Sequence, residues 1–240
     1  MTSPSTTKTK PRVIALIAAA GQGTRLGAEV PKAYVELRGR TLLERSVRAL
    51  LASGVVDEVI VLVSPDMEPE AARIIGRIDA APIHLVHGGS ERADSVWAGL
   101  QAIPDDDAVV LIHDAARALT PPAMVRDVAK RVLEGAPAAV PVVPVADTIK
   151  EGAAGAVVST PDRSRLRAVQ TPQAFRLSAL RQANLDYWAE QPEFTATDDA
   201  SLMEWHGEHV ATVPGDTLAF KITTPIDLTL AHALTEETHD

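Results

Sequence analysis

The chain has 240 residues, 46% hydrophobic and 23% charged, with 23 Lys+Arg against 32 Asp+Glu for a formal charge of −9. These proportions exclude wholesale disorder, and the absence of cysteine excludes thiol nucleophiles, zinc ribbons and iron–sulfur clusters. The acidic balance argues against general binding to nucleic acid or anionic membrane, yet a local basic pocket survives it because screening acts over about 8 Å.

In chain order, residues 1–11 are rich in Ser, Thr, Lys and Pro and read as a disordered tail, followed by one domain over 12–236. Lys8, Lys10 and Arg12 before the apolar run Val13 to Ala20 imitate a secretory leader. A buried first strand running into a glycine loop is the preferred reading, because the run is at the short end for a leader. No apolar run approaches the ~20 residues of a membrane span. Strands are predicted at Val13–Ala18, Glu58–Val63, Ile83–His87, Ala108–His113 and Ala138–Val143, apolar on both faces as in a covered parallel sheet. Between them, Thr41 with Glu44 reads as a capping box, Ser90 precedes a helix to Ala102, and Thr120-Pro121 reads as an N-cap followed by proline at N1. The alternation predicts an α/β, doubly wound, mostly parallel sheet of Rossmann-like type.

The pattern breaks over 146–170. Asp147–Lys150 and Ala156–Ser159 read as two short strands, forming either a solvent loop or a small β-arm that packs on a second subunit. Helices from Ser178 and Thr197, short strands near Val210–Val213 and Leu218–Lys221, and a last helix opened by Thr224 and Asp227 complete the chain.

Three constellations carry chemistry. Directly after the first strand comes Ala19-Ala20-Gly21-Gln22-Gly23-Thr24-Arg25-Leu26-Gly27, whose glycines let backbone N–H groups approach phosphate oxygens. Leu26 occupies the position where a dinucleotide fingerprint requires glycine, and no G-K-[ST] follows. Arg25 and Lys32 supply fixed cations suited to a triphosphate, where charge accumulates on a departing pyrophosphate. The second is Gly88-Gly89-Ser90-Glu91-Arg92-Ala93-Asp94-Ser95, at a strand's carboxyl end. There Ser95 can meet a base edge, while Arg92 and Asp94 also suit a local helix-surface pair. The third is His113-Asp114-Ala115-Ala116-Arg117: Asp114 suits a magnesium ion bridging phosphates, or a pair with Arg117, and His113 reads as buried rather than as a base. Thr148, Arg163, Thr171, Thr197 and Lys221 offer the hydroxyls and cations of a sugar-phosphate clamp, and Asp227 reads as a helix cap.

Together these segments, spread from Ala19 to about Asp227, resemble the 2-C-methyl-D-erythritol 4-phosphate cytidylyltransferase family. The resemblance lies in A-A-A-G-x-G-T-R-L-G, P-K, G-G-x-x-R-x-D-S-V, H-D-A-A-R, D-T, D-R, Q-T-P-Q, T-D-D-A-S and the late Lys221. It implies a cytoplasmic nucleotidyltransferase of isoprenoid precursor biosynthesis, joining CTP and methylerythritol phosphate with magnesium. It also implies a homodimer exchanging the 146–170 arm. By position, the resemblance puts Ala19, Ala20, Gly21, Gly23, Arg25, Lys32, Gly89, Arg92, Ser95 and Asp114 at the nucleotide. Asp114 stands at the metal, and Arg117, Thr148, Arg163, Thr171, Thr197 and Lys221 at the alcohol phosphate. Arg163 would come from the partner's arm. Arg25, Lys32 and Lys221 would be catalytic. Ala118 replaces a usual proline, and Ser90 stands where an acid is frequent. A ribitol 5-phosphate cytidylyltransferase is the alternative sharing most of this scaffold.

Overall fold

The computed structural model describes residues 10–21, 26–28, 30–89, 91–104 and 107–235. Residues 1–9 of the expected tail, together with Gly23, Arg25 and Ser90, lie outside the described residues.

All five anticipated strands form, as β1 (Arg12–Ala18), β4 (Glu58–Val63), β5 (Ile83–His87), β6 (Ala108–Asp114) and β7 (Ala138–Pro144). A short pair, β2 (Glu36–Leu37) and β3 (Arg40–Thr41), interrupts the alternation before α1 (Leu42–Ala52). The main sheet runs β5–β4–β1–β6–β11–β7–β12, with β11 at Gln173–Arg176 and β12 at Val210–Pro214. Short β10 (Arg167–Val169) continues the β11 side along β7. β5, β4, β1, β6, β7 and β12 run in one direction, and β10 and β11 run against them. The sheet is thus doubly wound and mostly parallel, as the sequence predicts.

Period-2 alternation divides β1 between two cores. Val13, Ala15 and Ile17 face α1, α2 (Glu68–Ile75) and α4 (Pro122–Leu133). Ile14 and Leu16 face α3 (Arg92–Ala102), α5 (Leu177–Glu190) and α6 (Asp199–Trp205). At Gly99 α3 comes close to the sheet: a Cβ there would lie 2.7 Å from Leu62 and 3.0 Å from Leu16. A larger side chain there would press on the packed ends of Leu62 and Leu16 beneath the helix that carries Arg92 and Ser95. A third, smaller core joins Leu26, Val35, Leu37 and Leu42 to Ala118, Ile222 and Ala231 of α7 (Pro225–Leu234). It clamps together the loops that carry Lys32, Arg117 and Lys221.

Local expectations shift where competing caps win. Thr41 accepts from the Glu44 amide, but the Glu44 carboxylate pairs with Arg48 rather than closing a capping box. Glu91 and Asp94 cap α3 reciprocally. The residue before α4 is Pro121, with Pro122 at N1, because the Thr120 hydroxyl donates to the Arg117 carbonyl instead. Asp198, not Thr197, caps α6, since its carboxylate is the acceptor for the Ser201 amide. Thr224 and Asp227 form the expected box at α7, Asp227 accepting from the Thr223 and Thr224 amides. Leu218–Lys221 is not a strand: Thr217–Ala219 makes a 3-10 turn opened by Asp216, whose carboxylate accepts from the Leu218 amide. In the arm the first strand is β8 at Glu151–Ala153, not 147–150, paired with β9 at Ala156–Ser159 around Ala154–Gly155. Gly155 and Ala154 both have positive φ, which is what so tight a turn requires and what pulls the strand up against it.

Candidate active site

The order of the sheet reverses between β1 and β6, and the carboxyl ends of these two strands open a crevice there, the usual ligand position in such sheets. Backbone bonds hold its walls: the Ala19 amide donates to the Leu62 carbonyl at 3.0 Å, the Gly88 amide to Val63 at 2.8 Å, and the Ile222 amide to Ala116 at 2.9 Å. The crevice is two adjoining clefts of about 200 and 180 Å³.

Ala19, Ala20, Gly21, Lys32, Gly89 and Ser95 line the first cleft. Lys32 opens a 3-10 turn that follows Pro31. Ser95 is buried, its hydroxyl donating to the Glu91 carbonyl at 2.9 Å, and a Cβ on Gly88 would stand 2.5 Å from that oxygen. The glycine is what allows the backbone to run so close to the serine. Arg117, Thr171 and Thr197 line the second cleft, together with Gln173 and Asp198. Arg92, Asp114 and Lys221 line both. The residues read as nucleotide-binding and those read as alcohol-binding thus separate into neighbouring spaces. Thr148 and Arg163 are exposed and line neither; the Arg163 guanidinium donates to the Ala146 carbonyl at 2.7 Å.

At the seam, the two Asp114 oxygens face different cations. Oδ2 accepts from Lys221 Nζ at 2.7 Å, and Oδ1 lies 3.5 Å from Arg92 Nε. Arg92 Nη2 also donates to Asp199 Oδ2 at 2.7 Å. Burial alone would raise the Asp114 carboxyl, but the charges of Arg92 and Lys221 and the lysine hydrogen bond outweigh it and hold the group well below the usual carboxylate range. Arg92 likewise overcomes burial through Asp199 and Asp114 and is shifted upward. Asp199, with one cation and the acids Asp198 and Asp114 nearby, is shifted upward by burial.

Asp114 therefore pairs with Lys221 and Arg92, and Arg92 reaches Asp199 rather than Asp94. Arg117 Nη1 instead donates to the Ala219 carbonyl at 2.7 Å and Nη2 to that of Val169 at 3.3 Å. Gln173 and Asp198, which line the second cleft, and Asp199, which pairs with Arg92 behind it, are residues that sequence reasoning did not place at the site. The available signal was the doubled acid of Thr197-Asp198-Asp199: one carboxylate suffices for a cap, so the second was free for another task.

His113 is fully buried beneath this seam, as the sequence reading has it. Its Nδ1 lies 3.1 Å from Thr171 Oγ1, which also accepts from the Asp114 amide at 3.0 Å. Burial, reinforced by Arg117 and only partly opposed by Asp114, lowers the imidazole from 6.5 to about 4. It is neutral at physiological pH and serves to hold Thr171 against the tip of β6.

The profile of the 2-C-methyl-D-erythritol 4-phosphate cytidylyltransferase family matches residues 13–237. A protein of that name from Corynebacterium efficiens is 62% identical over 232 residues, covering 94% of each chain. One from Rhodococcus jostii is 51% identical over 226 residues, 94% of this chain and 96% of that one. Among solved structures, the 2-C-methyl-D-erythritol 4-phosphate cytidylyltransferase of Thermus thermophilus superposes with a TM-score of 0.75 at 37% identity, covering 94% of this chain and 99% of that one. The 4-diphosphocytidyl-2C-methyl-D-erythritol synthase of Anaerococcus prevotii superposes with a TM-score of 0.82 at 29% identity, covering 95% and 100%.

The buried imidazole has a consequence for acid stability. An unfolded chain protonates His113 near 6.5 and the folded chain only near about 4, so between those values the unfolded state binds more protons. Stability is expected to fall as pH drops through that window, by up to about 3 kcal/mol from this group. Urea unfolding of wild type and His113→Gln across the window is expected to give a shallower slope for the variant. The carboxylates are common to both chains, so equal slopes would remove the imidazole from the account.

Proposed function

The chain belongs to the 2-C-methyl-D-erythritol 4-phosphate cytidylyltransferase family, a nucleotidyltransferase of isoprenoid biosynthesis, and on that premise we propose how its two clefts divide the reaction. CTP occupies the first cleft, its base toward Ser95 and its triphosphate along Ala19, Ala20, Gly21 and Lys32, with Gly23 and Arg25 contributing from the same loop. Methylerythritol phosphate occupies the second, its polar groups met by Arg117, Thr171, Thr197 and Lys221. The observation that carries this reading is the shared wall of Arg92, Asp114 and Lys221, which sets the two spaces side by side.

The reaction is in-line attack by a phosphate oxygen of the alcohol substrate on the α-phosphorus of CTP. A new P–O bond forms, the bond from the α-phosphorus to the oxygen bridging toward the β-phosphorus breaks, and pyrophosphate leaves with that electron pair. The nucleophile is already an anion, so no general base is needed. Catalysis is positioning plus charge stabilisation. Repulsion between two anionic substrates is the obstacle, and Lys32, Arg25, Arg92, Arg117 and Lys221 offset it.

A divalent cation fits one atom set. Asp114 is an ionised carboxylate at the seam, and no group of three or more His, Asp or Glu side chains suited to a metal occurs among the described residues. One carboxylate completed by substrate phosphates and water is the ordinary habit of magnesium. Asp114 would hold it, and when bound it would neutralise charge on the triphosphate.

The reading treats 12–236 as one nucleotidyltransferase domain and 146–170 as its dimerisation arm. Support comes from β8 and β9, which pair only with each other and leave Val157 and Val158 64% and 66% exposed. An isolated two-stranded hairpin is marginal in water, and a second copy of the chain would cover it. Arg163 then enters the partner's second cleft, which is consistent with its lining neither cleft of its own chain. No helix among the described residues is long and apolar enough to cross a membrane, and use of CTP supports a cytoplasmic location without nucleic acid as a partner.

Pyrophosphate release measured with each of the four nucleoside triphosphates and with both alcohols tests the substrate pair. CTP with methylerythritol phosphate is expected to be faster than every other combination by at least about 100-fold. Equal release with ribitol 5-phosphate would overturn the assignment of the second cleft.

The arm has its own test. Lys32→Ala and Arg163→Ala are each expected to lower turnover by about 10²- to 10³-fold, with folding retained. In purified heterodimers of the two variants one site regains both residues, and activity is expected to return toward half that of wild type; verified heterodimers without recovery would contradict the exchange.

A further inference from the structure

Asp199 lies outside the set of residues assigned to either substrate, yet it is buried against the seam. It is the first residue of α6, and Gln173 of β11 holds the residues on either side of it. The Gln173 amide nitrogen donates to Asp198 Oδ2 at 2.7 Å, and its carbonyl oxygen accepts from the Ala200 amide at 3.2 Å. Ala200, Leu202 and Met203 anchor the same helix in the core. The carboxylate of Asp199 is therefore a fixed point, and its partner is Arg92 Nη2 at 2.7 Å.

The other end of the same guanidinium faces Asp114, at 3.5 Å from Oδ1. Closed charge-assisted hydrogen bonds measure about 2.7–2.9 Å. Arg92 thus makes its short bond to Asp199 and holds Asp114 only through the longer 3.5 Å contact, while Lys221 has closed on Oδ2 at 2.7 Å. Oδ1 is the one Asp114 oxygen not closed by a side-chain bond of that length. Resting on the reading of Asp114 as the carboxylate for a divalent cation, we infer that Asp199 is a positioning residue that tethers Arg92 away from Asp114 and so keeps Oδ1 available to that cation. Without the Asp199 charge, the guanidinium's nearest carboxylate is Asp114. Arg92 closes on it, and a cation must then displace an arginine as well as a lysine.

Titration calorimetry of CTP binding, run with saturating Mn²⁺ and again with EDTA, tests this. The ratio of the two dissociation constants is the coupling between metal and nucleotide, and it cancels any direct effect of a variant on CTP itself. In Asp199→Asn the ratio is expected to fall by about 10-fold or more. Adding Arg92→Gln removes the group that closes on Asp114, so the double variant is expected to return to within about threefold of the wild-type ratio. A merely structural Asp199 would leave the loss in the double variant, and that result overturns the inference, as does an unchanged ratio in a folded Asp199→Asn. Where the single variant fails to fold, the double variant with its neutral pair decides alone: a near-wild-type ratio supports the tether, and a tenfold loss contradicts it. Asp114→Asn separates the two layers. If wild type shows coupling that Asp114→Asn abolishes and Asp199→Asn keeps, the tether alone is wrong. If wild type shows no coupling, the cation reading of Asp114 falls and the tether with it.

Discussion

A carboxylate buried at the tip of the central strand must be compensated, since a lone buried charge costs several kcal/mol. Asp114 meets that requirement with Lys221 and Arg92, and the elements carrying them are organised accordingly. Arg92 opens α3, which sits tightly on β1 and β4 through Gly99. Lys221 leaves the loop after β12 beside Ile222, which is buried in the small third core with Leu26 and Leu37. Arg92 in turn requires Asp199 at the start of α6. The seam between the clefts is therefore a run of alternating charge, Lys221, Asp114, Arg92, Asp199, gathered from four distant parts of the chain. Its net charge is near zero without substrates, so anions and a cation can enter together without exposing a large uncompensated field.

This arrangement answers the problem posed by the overall charge of −9. Two anionic substrates must meet on an acidic protein. Cations beside the crevice act over a few ångströms, where screening and distant surface acids weigh little. In the proposed reading, the backbone at Ala19–Gly21 and the buried Ser95 would add neutral recognition that the global charge leaves untouched.

Much of this is legible in the sequence, for physical reasons. The central parallel strands β1, β4 and β6 are buried on both faces, so Val13–Ala18 or Ala108–His113 announce themselves as continuous apolar runs. The motifs flanking them fall at carboxyl ends, where ligands bind. β11 is not legible in that way. It has four residues, one of them Gln173, and runs antiparallel in a place where the pattern offers only a clamp segment. The caps at Thr120 and Thr197 moved by one residue because a neighbouring proline or acid competed better. Asp199 escaped notice because its pairing with Arg92 spans 107 positions, a distance over which no local pattern can speak. The first arm strand is displaced because the turn at Ala154 and Gly155, rather than β-propensity, sets the register of so short a hairpin.

The central claim is that the crevice between β1 and β6 holds both substrates, one on each side of Asp114. A crystal of the chain grown with CTP and magnesium tests it most directly. The account expects the triphosphate between the Gly21–Lys32 segment and Asp114, the base beside Ser95, and the cleft of Arg117 and Thr171 left open. A triphosphate lying in that second cleft, or away from Lys32 altogether, would contradict it.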